Sequence, residues 1–465
     1  MSVRNCRRRL RSLAVVTTAV VLSGCATGSG DATTSAAFSA PPSAAGGSLT
    51  VMGFGADDEI GSTRLQLATA ALNGTTVDLV KGDLDVQAFL SSVAAGDPPE
   101  IIYANRDQIG TFASRGAILP LTDCITQQAV DTGQYLPSAL AQVTLNGTVY
   151  AIPEFNSVQI VMANRSLLDE AGLAMDDVNG SDWQALTAAA SKLTKTSAGK
   201  LSVIGVDSKL PEFLPLWAKA NGADLLSADG RTAQLDDPKV VQALNFAVGV
   251  YDTEGGFPAV KAFRDSADFF GEGNQYASGS LGAMPMEQWY VNVLNEVSPE
   301  APMAFDTVRT PAGDTLAYAS GSSWAVPKGS SNPGAACTFV KIMTRTDTWM
   351  QAAKARADDR AANGLVFTGL LTGNTVADEQ IRDTYVTEPT STVWGTAISA
   401  MYEANAHTFG LPANPADAEF KAAWQDAVNR VLNGQQEPAD ALAQAQREAQ
   451  AALDTAWATW DEQGG

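Results

Sequence analysis

The sequence predicts an α/β protein built on mainly parallel sheets covered by helices. Three observations carry that expectation. Short apolar runs alternate with segments of helical apolar spacing through residues 49–113, the pattern left by strands that return through crossover helices. Turn signals separate the segments: Asn73-Gly74, Gly96 and the Pro98-Pro99 pair each fall between two apolar stretches. The chain has 465 residues, 45% of them hydrophobic, which suits about two to four domains with cores of their own and is too apolar for a disordered protein.

Residues 1–24 read as an export signal. Arg4, Arg7, Arg8, Arg9 and Arg11 form a basic region, and Leu13–Leu22 is an apolar run broken only by Thr17 and Thr18. A run this short is a signal core, not a comfortable membrane span. It ends in Leu22-Ser23-Gly24-Cys25. This resembles the bacterial lipobox, in which small residues precede a cysteine that is lipidated and becomes the new N-terminus. An ordinary signal peptide that contains a cysteine is the plainer alternative. On the lipobox reading Cys25 carries acyl chains, each buried methylene contributing about 0.8 kcal/mol of membrane affinity. Cleavage would remove five arginines and no acids, leaving 441 residues at a formal charge of −26 instead of −21. In residues 26–47, 20 of 22 positions are Ala, Gly, Ser, Thr or Pro, and the exceptions are Asp31 and Phe38. That composition predicts a flexible linker over 25–47 with a reach of roughly 25 Å. Folded structure is expected from Ser48.

The elements then follow in order. Leu49–Phe54, Val77–Val80 and Ile101–Ala104 are short strands; Ile60–Leu72 and Val86–Ala94 are the helices between them, and another helix begins at Ile109–Ala113. In open sheets of this kind ligands sit outside the carboxyl ends of the strands, which singles out loops 55–59 and 105–108. Asn146-Gly147 reads as a hairpin turn before a strand over Val149–Ile152, and Val158–Ala163 as a buried strand. Ser181-Asp182 caps a helix that runs through Leu193, Ala228-Asp229-Gly230 is a turn, and Asp236-Asp237-Pro238 opens a helix over Lys239–Tyr251. Pro438 starts the last helix, where Leu442, Ala445, Ala449, Leu453, Trp457 and Trp460 recur three or four apart. No internal repeat is present.

Composition and motifs exclude several kinds of chemistry. A chain this acidic lacks the basic face that nucleic-acid binding requires. One histidine, His407, argues against a His-based hydrolase triad or a multi-His metal site. No nucleotide-binding glycine motif, His-Glu-x-x-His, Cys-x-x-Cys or Gly-x-Ser-x-Gly occurs. The acidic pairs Asp57-Asp58, Asp176-Asp177 and Asp358-Asp359 invite a glycosidase reading, but adjacent carboxylates more often solvate loops and helix starts. Asp83 and Asp85 lack the glycine and glutamate of a calcium loop. No metal or cofactor is therefore expected. Once Cys6 is cleaved away and Cys25 lipidated, Cys124 and Cys337 remain, and a disulfide or two buried thiols fit equally.

Several stretches resemble the extracellular solute-binding lipoproteins of ABC importers, in the sugar-binding branch that includes maltose-binding protein. Phe89-Leu90 through Ala95-Gly96-Asp97-Pro98-Pro99-Glu100-Ile101-Ile102-Tyr103 looks like that family's A-x-G-x-x-P-D-I lead-in. Residues 115–121 are similar to its G-x-L-x-P-L helix end. Residues 147–153, followed by Asn164, resemble G-K-x-Y-G-x-P and a later Y-N-K strand, although Ala163 stands where the tyrosine would be. Ser181-Asp182-Trp183, residues 279–289 and residues 321–330 resemble further family elements, so the likeness covers most of 48–345. Residues 355–374 show no pattern.

The resemblance implies a two-lobed periplasmic-binding-protein fold of type II. Crossings near Asn156, Thr310 and Arg345 would put 48–155 with 311–345 in a first lobe and 157–309 with 346–460 in a second. Cys124 and Cys337 then share a lobe, which favours their pairing. The implied function is capture of a mono- or oligosaccharide between the lobes and delivery to ABC permease subunits. The protein would be a monomer held by its lipid on the extracytoplasmic face of the cell membrane, with no enzymatic step. A sugar needs carboxylates and amides for its hydroxyl rim and flat aromatics for its C–H faces. The residues so placed are Asp57, Asn105 and Asp107 on the first lobe, and Phe155, Asn156 and Ser157 at the hinge. Glu287 and Trp289 serve on the second, with Gly321 and Ser322 offering backbone groups and Trp394 a late aromatic. Plainer roles stand beside these: Asp57 or Asp107 as a helix cap, Trp289 or Trp394 as core. Trp217, Trp324, Trp424, Trp457 and Trp460 read as packing. A surface-anchored glycoside hydrolase, a binding protein for a polyamine, peptide or anion, and a lipoprotein without ligand are the rival readings.

Overall fold

The computed structural model describes residue 38 and residues 47–463. The export signal, Cys25 and all of the expected linker except Phe38 and Gly47 lie outside the described residues.

Two five-stranded sheets organise the chain. In the first, Ser48–Met52 lies between Thr76–Val80 and Ile101–Asn105, all parallel; Ser320–Ala325 and then Ile152–Ser157 extend it antiparallel. The second runs in the order Met303–Thr307, Gln159–Asn164, Leu281–Glu287, Lys200–Val206, Lys195–Ser197. Its 200–206 and 281–287 strands are parallel, and 159–164 is antiparallel to both its neighbours. Every residue of Gln159–Asn164 is buried, as expected for a strand covered on both faces.

Local chemistry explains the first βαβ units. Asp58 accepts from the Gly61 amide at 2.6 Å and Asp85 from the Ala88 amide at 2.9 Å, so the helices Glu59–Ala70 and Val86–Ala95 each start on an aspartate cap. The second ends on Gly96 at φ +78°, a left-handed conformation that glycine adopts without steric cost. Asp58, not Asp57, is therefore the cap of the first helix. Asp182 caps Trp183–Leu193 in the same way. In the last helix, Pro438–Glu462, the six apolar positions that set its period are all buried.

The first lobe's core packs Leu49, Val51, Ile101, Trp324 and Phe339 between the sheet and its helices. Cys124 and Cys337 form a disulfide there with Cα atoms 5.7 Å apart. The second lobe's core contains Ile160, Met162, Ile204, Leu244, Met284 and Leu294.

One expectation changes. Asn146-Gly147, at φ +47° and +78°, turns a hairpin of only Thr144–Leu145 with Thr148–Val149. Ile152 starts a separate strand of the first sheet instead of ending this one. Thr346–Ala362 lies on the 59–70 helix through a cluster of Ile60, Trp349, Ala352 and Ala353, while Arg360 near its C-terminal end donates to Asn295 of the second lobe at 2.9 Å, and Val393–Ala406 packs into the second lobe's core. Of residues 355–374, which showed no pattern, 355–362 complete the helix Thr346–Ala362 and 365–374 form an irregular segment threaded along the crossover. The Leu371 carbonyl accepts from the Asn156 amide at 2.8 Å and the Gly373 carbonyl from the Leu136 amide at 3.0 Å. Backbone bonds to other segments, instead of a helical or strand period, hold it.

Candidate functional site

Strand register brings most of the expected site residues to one place. The chain crosses between sheets at Ser157–Gln159. In the first sheet Gly321 pairs with Asn156, Ser322 with Glu154 and with Asn105, and Ser320 with Ser157. In the second sheet Glu287 pairs with Gln159. Gln288 then ties down the crossover: its amide donates to the Val158 carbonyl at 2.9 Å, and its side chain accepts from the Val158 amide at 2.8 Å. Register thus sets Asn105, Asn156, Ser157, Gly321 and Ser322 side by side in the first sheet, and Glu287, two residues before Trp289, opposite Gln159 just past the crossover in the second.

The exposed face of this region combines an aromatic surface with carboxylates. Trp289 is 37% and Phe270 64% exposed, and their rings lie nearly parallel at 17° with centroids 6.3 Å apart. Phe269 stands edge-on to Phe270 and stacks on Tyr290 at 4.2 Å, so the pair rests on packed aromatics beneath it. Burial pushes the Glu287 carboxyl up, with Lys209 opposing and Glu212 reinforcing the shift. Asn105 is exposed at its strand end and makes no side-chain cap to the following turn. Asp57 is 88% exposed, with Lys81 3.9 Å away, a distance and exposure at which an ion pair contributes little. Asp107 caps no helix and instead bonds Lys421 at 2.6 Å.

Other expected residues have structural duties. Trp394 is 8% exposed and packs on Phe305; it belongs to the second lobe's core and is not brought to the strand ends. A buried core site, reached from the helix 393–406, offers a solute no face. Phe155 sits at φ +44° with its ring edge-on to Trp349 at 5.1 Å. Gly321 has φ +149°, and a Cβ there would meet the Phe155 carbonyl at 2.0 Å, so glycine is required by the sheet itself. The tryptophans 217, 324, 424, 457 and 460 are all buried.

Asn156 is committed on every side. Arg106, 1% exposed, donates to Asn156 Oδ1 at 2.7 Å and to the Ser320 carbonyl. Arginine can only donate, which fixes the amide's orientation: Asn156 Nδ2 donates to Asn405 Oδ1 at 2.7 Å, and Asn405 Nδ2 to Asp378 Oδ2 at 3.1 Å. Two asparagines therefore relay a buried cation to a buried carboxylate across the hinge. Burial lowers Arg106 to about 10 and raises Asp378 to about 7 against hydrogen bonds from Thr372 and Asn405. A second buried pair lies alongside. Arg64 and Glu154 are 2.7 Å apart at 1% and 0% exposure, Trp324 Nε1 also donates to Glu154, and Arg64 stacks on Trp349 at 4.0 Å.

Arg106, Gln288, Asn405 and Asp378 gave no sequence signal, because a lone polar residue in an apolar context looks like any surface residue. Phe270 had one: Phe269-Phe270 is an aromatic pair set in a stretch of glycines and acids. Among the described residues no group of three or more His, Cys, Asp or Glu is arranged to hold a metal, and no helix is long and apolar enough to cross a membrane.

This architecture recurs in solved structures. An ABC substrate-binding protein from Listeria monocytogenes in complex with cycloalternan superposes with a TM-score of 0.69 at 19% identity, covering 88% of this chain and 99% of that one. CpMnBP1 with mannotriose bound gives 0.68 at 21% identity, covering 87% and 100%. These likenesses establish the two-lobed fold. Among curated proteins, the arabinooligosaccharide-binding protein of Bacillus subtilis is 21% identical over 269 residues, which span 57% of this chain and 60% of that protein. The sequence model of the bacterial extracellular solute-binding proteins matches residues 59–349, more than half of the chain and every strand of both sheets but Ser48–Met52. The chain belongs to the family of bacterial extracellular solute-binding proteins.

Proposed function

We propose that this protein is the substrate-binding component of an ABC importer and captures an oligosaccharide between its lobes without transforming it. The observation that carries the reading is the exposed Trp289–Phe270 surface that directly follows Glu287, whose strand end pairs with Gln159 beside the crossover. Aromatic faces match the C–H faces of a pyranose, and carboxylate and amide groups match its hydroxyls. The ligands named for similar proteins, cycloalternan, mannotriose and arabinooligosaccharides, support a sugar of more than one unit.

On this reading Asp57, Asn105, Asp107, Ser157, Ser322, Glu287 and Trp289 contact the solute, and Phe155, Asn156 and Gly321 shape the hinge. The lobes comprise the first sheet with 48–155 and 311–345, and the second with 157–309 and the C-terminal helices; residues 346–385 ride on the first. Closure around the sugar presents a lobe arrangement that permease subunits recognise. The protein works as a monomer, tethered through lipidated Cys25 to the extracytoplasmic face of the membrane. A thermal-shift screen against mono- and oligosaccharides tests the reading. Stabilisation by a specific sugar that is recovered intact supports it; no shift with any sugar, or conversion of the sugar to products, overturns it.

A further inference from the structure

Phe38 is the one aromatic side chain in residues 26–47, and its only apolar companions there are alanines and prolines. Its ring is 4% exposed and belongs to the first lobe's core cluster with Leu49, Val51, Ala335 and Phe339. The body of the lobe begins nine residues later, where the Gly47 carbonyl accepts from the Thr76 amide at 3.0 Å. We infer that Phe38 is a plug that fastens the tether to the first lobe, so that this lobe's distance from the membrane is set by the stretch 25–38 and not by the whole linker.

The inference rests on the proposed lipid anchor at Cys25. Its physical basis is simple. A segment of small and polar residues offers nothing else to bury, so a single aromatic ring in a prepared apolar site decides where that segment attaches. Thirteen peptide units separate Cys25 from Phe38 and 23 separate it from Ser48. At about 3.5 Å per unit, the longest possible standoff falls from about 80 Å to about 45 Å. The shorter tether also raises the lobe's effective concentration at a membrane partner by about twofold.

The test uses the full lipidated chain in nanodiscs, with spin labels at Ser35→Cys and at Gln127→Cys on the exposed face of the first lobe. Double electron–electron resonance should give a narrow distance distribution. Phe38→Ser should broaden it at least twofold, and Phe38→Leu should keep it narrow. Circular dichroism of Phe38→Ser checks that the body remains folded. Equal widths in the parent and Phe38→Ser would overturn the plug. Mass spectrometry of the membrane-recovered chain is read separately: an N-terminus other than an acylated Cys25 removes the lipid-anchor reading, while the resonance result still decides whether Phe38 is docked.

Discussion

Trp289→Ala should weaken sugar binding at least tenfold while leaving the fold intact. The ring is 37% exposed and lies nearly parallel to Phe270, so a pyranose set on it covers one aromatic face. Covering about 50–80 Å² of apolar surface at about 25 cal/mol per Å² contributes about 1.3–2 kcal/mol. That corresponds to about a 10- to 30-fold change in Kd. Phe270→Ala should act in the same direction, and the double variant should lose less than the sum, because both rings serve one surface. Some stability should be lost as well, because the other side of Trp289 packs on Phe269, Phe270 and Tyr290. Isothermal titration calorimetry with the sugar found in the thermal screen measures the effect. An unchanged Kd in Trp289→Ala would refute the placement of the sugar face; a large fall in melting temperature would show that Trp289 is a packing residue.

Arg64→Met should destabilise the protein by about 3–5 kcal/mol, because it leaves Glu154 buried without its cation, and adding Glu154→Gln should recover much of the loss; urea unfolding of the parent and the two variants decides this, and a double variant no better than the single would refute it. Asp378 is pushed up to about 7 in the fold, so its contribution to stability is complete below about pH 4 and is lost as pH rises through about 7, a change of about 4 kcal/mol. Asp378→Asn should therefore become relatively more stable than the parent as pH rises from 4 to 7, and parallel stability–pH curves would rule this out. Breaking the Cys124–Cys337 disulfide, which closes 213 residues, should cost about 2–5 kcal/mol; an unfolding midpoint unaffected by Cys124→Ala with Cys337→Ala would contradict it.

The elements legible in the sequence are those whose signals are local. Asp85 and Gly96 bound one helix because capping hydrogen bonds span three or four residues. The stripe from Leu442 to Trp460 marks the last helix because one face of a 25-residue helix must be buried. Trp289 was legible as a candidate through its place after a strand, but Trp394 occupies an equally suggestive position and turns inward. Nothing local separates the two, since exposure depends on which neighbour covers the ring. Packing partners are equally silent in the sequence: Trp349 and Ala352 of the helix 346–362 find theirs on the 59–70 helix, nearly 300 positions away.

By itself the sequence determined an α/β chain, the strand–helix alternation of the first lobe and the polar loops at its strand ends, because periodicity, caps and turns are written within a few residues of one another. Only the tertiary structure decided the relay Arg106–Asn156–Asn405–Asp378, whose members are up to 299 positions apart, the disulfide, the burial of Trp394 and the docking of Phe38. Each depends on desolvation and contact between segments distant in the chain, and a residue's burial is a property of what folds over it.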